Sequence, residues 1–217
     1  MKVGTDGVLL GAWGNVAGCS ILDIGSGTGL IALMAAQRNP EASVLGIDTC
    51  DEAVLQAREN IEGSPFSRRV RCELQDVMTF RPSERFDSIL CNPPFFTEDT
   101  LPGDTARALA RNNKSMPFRE LVPKVASLLS ERGTFSLIVP AAFAQEITGL
   151  CLAEGLYLGR RCQVRTTERK PPRRTLLAFT RQPAADICQS TEMCLMAKDG
   201  TRSHEYHELT KDFYVQA

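Results

Sequence analysis

The residues best suited to chemistry are Asn92, Pro93, Pro94 and Phe95, which directly follow the mainly apolar run 86–91. Such a run is typical of a buried strand, and the prolines end it because they lack an N–H donor. The Asn92 side chain and the Pro93 carbonyl offer two hydrogen-bond acceptors, and Phe95 offers a flat aromatic face. Two acceptors can orient a planar amino group, and a ring can stack on an extruded base. These residues predict an amine-modifying site, with a proline-rich turn capped by Asn92 as the alternative.

A glycine-rich turn is the first element that must position this site. The run Ser20–Ile24 predicts a buried strand, from which Gly25, Gly27 and Gly29 lead into a helix beginning at Leu30. Glycines let a backbone approach a ligand closely, and a helix N terminus offers free N–H donors. Together they form a unit typical of nucleotide binding. The G-x-G-x-G spacing differs from the G-x-G-x-x-G dinucleotide fingerprint, which disfavours a nicotinamide cofactor.

Two acids follow the next two predicted strands. Asp48 ends the run Ser43–Asp48, and Asp76 comes just after the run Arg69–Leu74. An acid at the first position can accept hydrogen bonds from both hydroxyls of a ribose, and Asp76 can accept from an adenine amino group. Each could instead be a solvated loop residue or a helix cap. Their joint placement at neighbouring strand ends favours a ligand.

The amino-terminal residues carry turn chemistry before a short apolar helix. Thr5 and Asp6 precede the run Val8–Trp13. They could cap this helix, or they could direct polar groups toward a cofactor across the sheet. We expect residues 1–18 to form a segment that covers the cofactor.

A basic connector stands out in a chain whose net charge is only −1. The runs Leu156–Arg165 and Thr175–Thr180 predict a terminal hairpin, and the segment between residues 160 and 174 holds seven cationic residues against Glu168. Pro171 and Pro172 stiffen it. A cationic hairpin on the ligand side of the sheet is a plausible contact for a phosphate backbone, with a solubilising loop as the alternative. The predicted RNA-binding residues are Arg160, Arg161, Arg165, Arg169, Lys170, Arg173 and Arg174.

The remaining elements follow from hydrophobic periodicity. Helices are predicted at 117–129 and 143–153, and a strand at 133–139. The polar residues 96–116 predict a partly helical flap over the site, with solvated charge as the alternative. Residues 182–217 should add a strand near 193–197 and a helix at about 204–214. We expect one domain spanning residues 1–217.

Composition narrows the class of protein. The 217 residues are 43% hydrophobic and 24% charged, and they contain no apolar run of eighteen residues. The eight cysteines form no C-x-x-C pair and lie mostly within apolar runs, which indicates buried, reduced thiols. His204 and His207 indicate a surface helix more than a metal site. We expect a cytoplasmic monomer that binds no metal and no membrane.

The order of these parts resembles the class I S-adenosylmethionine-dependent methyltransferases over about residues 19–140. The resemblance implies a Rossmann-like α/β fold: a mostly parallel seven-stranded sheet with the last strand antiparallel and helices on both faces. It implies that Gly25 and Gly27 pass under the methionine part, Asp48 holds the ribose, and Asp76 with Val77 holds the adenine. The cofactor contacts expected on this basis are Thr5, Asp6, Asp23, Gly25, Gly27, Gly29, Asp48, Asp76, Val77 and Asn92.

A narrower resemblance is carried by the opening residues Met1–Trp13, MKVGTDGVLLGAW. They are similar to the opening motif of the bacterial tRNA1(Val) adenine methyltransferases, and the segment Tyr206–Tyr214 is similar to that family's end. Members normally carry some two dozen further residues before this motif, so we expect the start of the chain to be truncated. This resemblance implies methylation of the 6-amino group of the adenine 3′ of the anticodon, with tRNA and S-adenosylmethionine as partners.

Other functions remain compatible with the same motif. A glutamine amide on a translation release factor and the 2-amino group of guanine in ribosomal RNA present a similar planar amine. The release-factor enzymes usually have Tyr where this chain has Phe95. A catalytically inactive nucleotide- or RNA-binding scaffold is the alternative from a different class.

Overall fold

The computed structural model describes residues 4–94, 118–183 and 188–214. The helices and strands within these ranges alternate along most of the chain, as the sequence predicts. They are α1 (Thr5–Trp13), β1 (Ser20–Ile24), α2 (Leu30–Arg38), β2 (Ser43–Asp48), α3 (Asp51–Glu62), β3 (Val70–Leu74), β4 (Phe86–Cys91), α4 (Phe118–Leu128), β5 (Leu129–Pro140), α5 (Ala144–Ala153), β6 (Tyr157–Arg165), β7 (Arg174–Thr180), β8 (Gln189–Cys194) and α6 (His204–Thr210).

One sheet runs in the order β3-β2-β1-β4-β5-β7-β6-β8. The five strands from β3 to β5 are parallel, β7 is antiparallel to both of its neighbours, and β8 is parallel to β6. The mostly parallel sheet with an antiparallel strand is therefore confirmed, but the predicted number of seven strands is wrong. The eighth strand, Gln189–Cys194, covers the edge that β6 would otherwise expose.

Helices pack on both faces because the strands bury side chains on both sides. Ile21 and Val44 belong to the core shared with α1, α2 and α3, whereas Leu22 and Leu45 belong to the core shared with α4 and α5. Successive residues of a strand point to opposite faces, so a nearly continuous apolar run fills both cores. This arrangement leaves the carboxyl ends of the parallel strands at one edge of the sheet.

Helix α1 is held against the sheet by its neighbours on both sides. A Cβ on Gly11 would lie 2.5 Å from Sδ and 3.1 Å from Cβ of Met34 in α2, so a larger residue would require Met34 to move. On the other side, Val8 and Ala12 pack against Leu209 of α6 and further residues of the C-terminal segment. The helix predicted at 204–214 thus forms as α6 followed by a short 3-10 turn, and it supports α1.

The cysteines differ in exposure more than the sequence suggests. All eight are free thiols. Cys72, Cys91, Cys151 and Cys162 are buried, as predicted, and burial raises the pKa of Cys151 to about 12. Cys19 and Cys50 are exposed, which corrects the expectation for those two, because each sits in a turn at a strand or helix end.

None of the helices within the described ranges is long and apolar enough to cross a bilayer. The same residues contain no cluster of three His, Cys, Asp or Glu side chains arranged to hold a metal ion.

Candidate active site

The glycine turn folds down onto the end of β2. The backbone N–H groups of Gly25 and Ser26 both donate to the carbonyl of Ile47, at 2.9 and 3.1 Å. Gly46 makes this possible, because a Cβ there would lie 2.9 Å from Cβ of Ser26. Gly25 has φ +71°, a left-handed conformation that favours glycine. The turn is therefore fixed by β2 and leaves its outer surface open.

Asp48 is held by two backbone donors at the tip of β2. Its Oδ2 accepts from the N–H of Gly27 at 2.8 Å, and its Oδ1 accepts from the N–H of Cys50 at 2.9 Å. A carboxylate has about four lone-pair sites, so acceptor capacity remains on both oxygens. The side chain is thus oriented by the chain and is still able to accept hydrogen bonds from a ligand.

Asp76 shapes the turn after β3. Its Oδ1 accepts from the N–H of Met78 at 2.8 Å, and its carbonyl accepts from the N–H groups of Thr79 and Phe80. The side chain therefore caps a turn at 77–79, whereas the predicted alternative of a helix cap is not observed, because the described residues between β3 and β4 form no helix. Oδ2 makes no hydrogen bond within the described ranges, and the neighbouring Val77 is buried. Asp76 can therefore hold the turn through Oδ1 and still contact a ligand through Oδ2.

Asp23 lies beneath the glycine turn and does not line the cavity. The residue is fully buried, and its Oδ2 accepts from the N–H of Ala32 at 3.1 Å. Its Oδ1 is buried without a partner in the described part of the chain. Burial raises the pKa of Asp23 to about 7; the Ala32 hydrogen bond acts against this and the nearby Asp48 charge adds to it. Gly29 also lies outside the cavity lining, because it packs against Ala57 of α3.

Thr5 and Asp6 do not cap α1, which corrects the capping interpretation. The helix begins at Thr5, and its N-cap is Gly4, which has no side chain to accept a hydrogen bond. Thr5 and Asp6 lie in the first turn and line the cavity. Nε of Arg174 donates to Oδ2 of Asp6 at 2.7 Å.

The amine-binding motif enters the same cavity from the end of β4. Asn92, Pro93 and Pro94 line it, and Asn92 Nδ2 lies 4.0 Å from the position that a Cβ on Gly7 would take. The Asn92 side chain makes no hydrogen bond to any described residue, so its capping of the local backbone is not observed there. Phe95, the predicted stacking residue, and the predicted flap at 96–116 lie outside the described residues.

The cavity has a volume of about 690 Å³, within the usual range for small-molecule sites. The position that a Cβ on Gly25 would take has no atom within 4 Å, so the turn leaves space for a ligand. Acids at two strand ends and free acceptors at Asn92 are a suitable set for an adenosine beside an amine. The lining residues are Gly4, Thr5, Asp6, Gly7, Ile24, Gly25, Ser26, Gly27, Thr28, Leu30, Ile31, Ile47, Asp48, Thr49, Gln75, Asp76, Val77, Asn92, Pro93 and Pro94.

Sequence reasoning missed several of these lining residues. Thr49 and Gln75 each stand beside a predicted acid at a strand end. A polar residue next to a ligand-binding acid lies at the same edge of the sheet, so the position of Thr49 and Gln75 beside these acids could have identified them. Gly4 and Gly7 come from the opening motif, where only Thr5 and Asp6 were singled out.

Several of the predicted RNA-binding side chains have partners within the protein, and four of these contacts can be described. The guanidinium of Arg160 lies 4.3 Å from the ring centroid of Trp13, and that of Arg161 donates to Oγ of Ser190. Arg165 forms a two-pronged ion pair with Glu192, at 3.1 and 3.2 Å. The fourth is Arg174, which pairs with Asp6. These contacts give the four side chains structural partners, which the charge pattern did not indicate.

Three further cationic residues of the predicted set lie on the connector after β6. Arg169, Lys170 and Arg173 are exposed. β7 begins at Arg174, opposite Pro140 at the carboxyl end of β5, so the connector projects from the edge that carries the cavity. The placement on the ligand side of the sheet is as predicted.

Comparison with known families gives one match over about half of the chain. The model of the methyltransferase small domain matches residues 5–117. This range contains the glycine turn, Asp48, Asp76 and Asn92.

Similar curated proteins match along nearly the whole chain. The tRNA1(Val) (adenine(37)-N6)-methyltransferase of Bacteroides thetaiotaomicron is 39% identical over 217 residues, covering 99% of this chain and 91% of the relative. The protein of the same name from Vibrio cholerae is 37% identical over 217 residues, covering 100% of this chain and 89% of the relative.

Solved structures share the fold at lower sequence identity. A crystal structure from Agrobacterium tumefaciens, described as a predicted O-methyltransferase, has a TM-score of 0.73 at 18% identity and covers 98% of this chain and 99% of its own. A putative RNA methyltransferase from Pyrococcus horikoshii has a TM-score of 0.57 at 19% identity, with 82% of each chain covered. Both place the sheet among Rossmann-like methyltransferase folds.

Proposed function

This chain belongs to the tRNA1(Val) (adenine(37)-N6)-methyltransferases, a family of S-adenosylmethionine-dependent enzymes, and we propose that it methylates the 6-amino group of adenine 37 in tRNA1(Val). The single observation that carries the proposal is that Asn92 and Asp48 line one cavity. An acceptor for an amine and an acceptor for a ribose thus face the same space.

The cofactor-holding residues in this proposal come from three strand ends. Gly25 and Gly27 give close backbone approach, Asp48 accepts from the ribose hydroxyls, and Asp76 and Val77 border the adenine. S-adenosylmethionine supplies, when bound, a methyl group made electrophilic by the positive sulfonium. Thr5 and Asp6 line the same cavity from the first turn of α1. Asp23 supports the site from beneath the glycine turn, because its Oδ2 accepts a hydrogen bond from the backbone N–H of Ala32 in α2.

Asn92 and Pro93 orient the target nitrogen. The side-chain oxygen of Asn92 and the carbonyl of Pro93 each accept a hydrogen bond from one N–H of the amine. This orientation turns the lone pair of the nitrogen toward the methyl donor. Orientation supplies much of the rate enhancement in such a transfer, because holding both reactants in place makes a bimolecular reaction effectively unimolecular. The amine becomes acidic only once it has gained its fourth bond, so no strong base is needed at the start. Phe95 stacks on the extruded adenine in this proposal.

The tRNA meets the protein through the connector. The exposed Arg169, Lys170 and Arg173 stand at the edge that carries the cavity, where they suit phosphate contacts. We further propose that the protein acts on tRNA in the cytoplasm, as a single-domain monomer without a metal. The single sheet from β3 to β8 supports the one-domain part of this proposal.

The test is methyl transfer from labelled S-adenosylmethionine to undermodified tRNA, followed by nucleoside digestion. Wild-type protein should place the label in 6-methyladenosine at position 37. Asn92→Ala should abolish transfer while calorimetry still detects cofactor binding, and Asp48→Ala should weaken that binding by about tenfold or more, as expected for lost charge-assisted hydrogen bonds. Label in a release factor alone, or transfer that survives Asn92→Ala, would refute the proposal.

A further inference from the structure

Helix α1 contains two glycines, Gly7 and Gly11, on the face that packs against α2. They are four residues apart, so they lie on one side of the helix. Their neighbours in α2, Leu30 and Met34, are four residues apart as well. Glycine inside a helix is less favourable than alanine, because it loses more backbone entropy on folding. The presence of each glycine therefore has to be explained by its surroundings.

Close packing of the two helices explains Gly11 but not Gly7. A Cβ on Gly11 would lie 2.5 Å from Sδ and 3.1 Å from Cβ of Met34. A Cβ on Gly7 would lie 3.3 Å from Cδ2 of Leu30, the far end of a flexible side chain that need move only a few tenths of an ångström. Alanine at position 7 is thus compatible with the contact between α1 and α2, and packing alone does not require glycine there.

The second neighbour of Gly7 is the amine-binding side chain. The same Cβ position lies 4.0 Å from Nδ2 of Asn92, and Gly7, Leu30 and Asn92 all line the cavity. Leu30 begins α2 directly after the glycine turn, which holds the methyl donor in the proposed function. Asn92 holds the target amine there. The open face of Gly7 therefore lies between the donor side and the acceptor side of the cavity.

We propose that Gly7 keeps open the space in which the methyl group passes from S-adenosylmethionine to the amine of the substrate adenine. In this transfer the nitrogen lone pair forms the new N–C bond, the electron pair of the broken S–C bond stays on sulfur, and the amine loses one proton. A side chain on Gly7 would add atoms beside Leu30 and Asn92, where donor and amine have to approach each other. Extra atoms in a filled site displace their neighbours, and methyl transfer is sensitive to small displacements. This inference rests on the proposed function and adds α1 to the elements that shape the reacting site.

The first test measures ligand binding in the absence of tRNA. S-adenosylhomocysteine lacks the transferred methyl group, and the ratio of the two Kd values in wild type accounts for its different charge at sulfur. In calorimetric titrations Gly7→Ala should raise the Kd for S-adenosylmethionine about tenfold more than that for S-adenosylhomocysteine, because only the former places a methyl group in the narrowed space. Gly149→Ala is the matched control and should change neither Kd. Gly149 lies within α5, outside the cavity lining, and a Cβ there meets no atom within 4 Å.

The second test separates this role from helix packing. With saturating S-adenosylmethionine, Gly7→Ala should lower the single-turnover rate of methyl transfer to tRNA1(Val) about tenfold or more. Urea unfolding should show no loss of stability, because alanine favours a helix. Leu30→Ala removes the packing contact at position 7, and adding Gly7→Ala to it should still lower the rate by a similar factor.

Two outcomes would overturn the inference. One is an equal loss of affinity for both ligands in Gly7→Ala. The other is an equal rate for Leu30→Ala with and without Gly7→Ala, which would assign the effect to helix packing. Wild-type protein that left tRNA1(Val) unmethylated would instead overturn the proposed function.

Discussion

Arg174 and Asp6 join the start of β7 to the first turn of α1, with Nε of Arg174 2.7 Å from Oδ2 of Asp6. The two residues are 168 positions apart in the chain. Asp6 lines the cavity, and Arg174 ends the connector that faces the tRNA in our proposal. The ion pair therefore fixes the part of the cavity wall formed by α1 relative to the connector. Two side chains predicted for different ligands bind each other.

Breaking this pair should weaken cofactor binding more than it weakens the fold. Both side chains are about a third exposed, so solvent screening limits the contribution to the free energy of unfolding to at most about 1 kcal/mol. Asp6→Ala and Arg174→Ala should each raise the Kd for S-adenosylmethionine severalfold by freeing the first turn of α1. In calorimetric titrations the double variant should lose less affinity than the two single losses combined. Simple additivity would show that the pair does not act as a unit.

The control for that cycle is Arg165→Ala. It breaks a comparable pair with Glu192, between β6 and the edge strand β8, and neither residue lines the cavity. Its effect on unfolding should be similar, and its effect on the Kd for S-adenosylmethionine should be absent.

Gly25→Ala should separate a ligand contact from backbone strain. Gly25 and Gly200 have φ of +71° and +83°, and a Cβ at either position meets no atom within 4 Å. Alanine should therefore destabilise both sites by a similar amount, about 1–2 kcal/mol. Because Gly25 alone of the two lines the cavity, only its substitution should weaken S-adenosylmethionine binding, by about tenfold or more. Calorimetric titration measures the affinity of both variants, and urea unfolding measures their stability. Equal affinities for S-adenosylmethionine would show that the ligand does not contact the glycine turn.

The strands beneath the site could be predicted from the sequence because they are buried on both faces. Ser20–Ile24 and Ser43–Asp48 match the observed β1 and β2 residue for residue. A continuous apolar run bounded by turn residues leaves little choice of where the predicted strand begins and ends. β8 was predicted too far along the chain, near 193–197, because most of its side chains are exposed and its pairing with β6 depends on backbone hydrogen bonds.

The partners of charged side chains could not be predicted in the same way. Asp48 and Asp76 reach one cavity because parallel strands end at one edge, which is a rule of topology. The pairing of Arg165 with Glu192 depends on the edge strand, and that of Arg174 with Asp6 joins the two ends of the chain. No local pattern encodes such pairs, so the connector appeared to hold more free positive charge than it does.

Charge reversal of Arg169 and Lys170 should weaken tRNA binding without affecting the cofactor. Both are exposed on the connector, and each phosphate contact adds about 0.7 to 0.9 to the slope of log affinity against log salt. Arg169→Glu with Lys170→Glu should lower affinity about tenfold or more at low salt and reduce that slope by about 1 to 2. Arg68→Glu is the matched control, since Arg68 is exposed just before β3, at the opposite edge. Unchanged slopes in filter-binding titrations would reduce the connector to a solvated loop.

Asp23 should make the stability of the ligand-free protein fall as the pH rises from about 4 to about 7. Burial raises its pKa from 3.8 to about 7 in the folded protein, so the folded state binds this proton more tightly than the unfolded chain does. The stabilisation is complete below pH 3.8 and is lost as the pH rises through 7. Asp23→Asn removes this dependence and keeps an acceptor for the N–H of Ala32. Urea unfolding between pH 4.5 and 8 should therefore show the variant gaining on wild type by up to about 1.4 kcal/mol per pH unit. A difference that is constant across this range would mean that Asp23 ionises as it does in the unfolded chain.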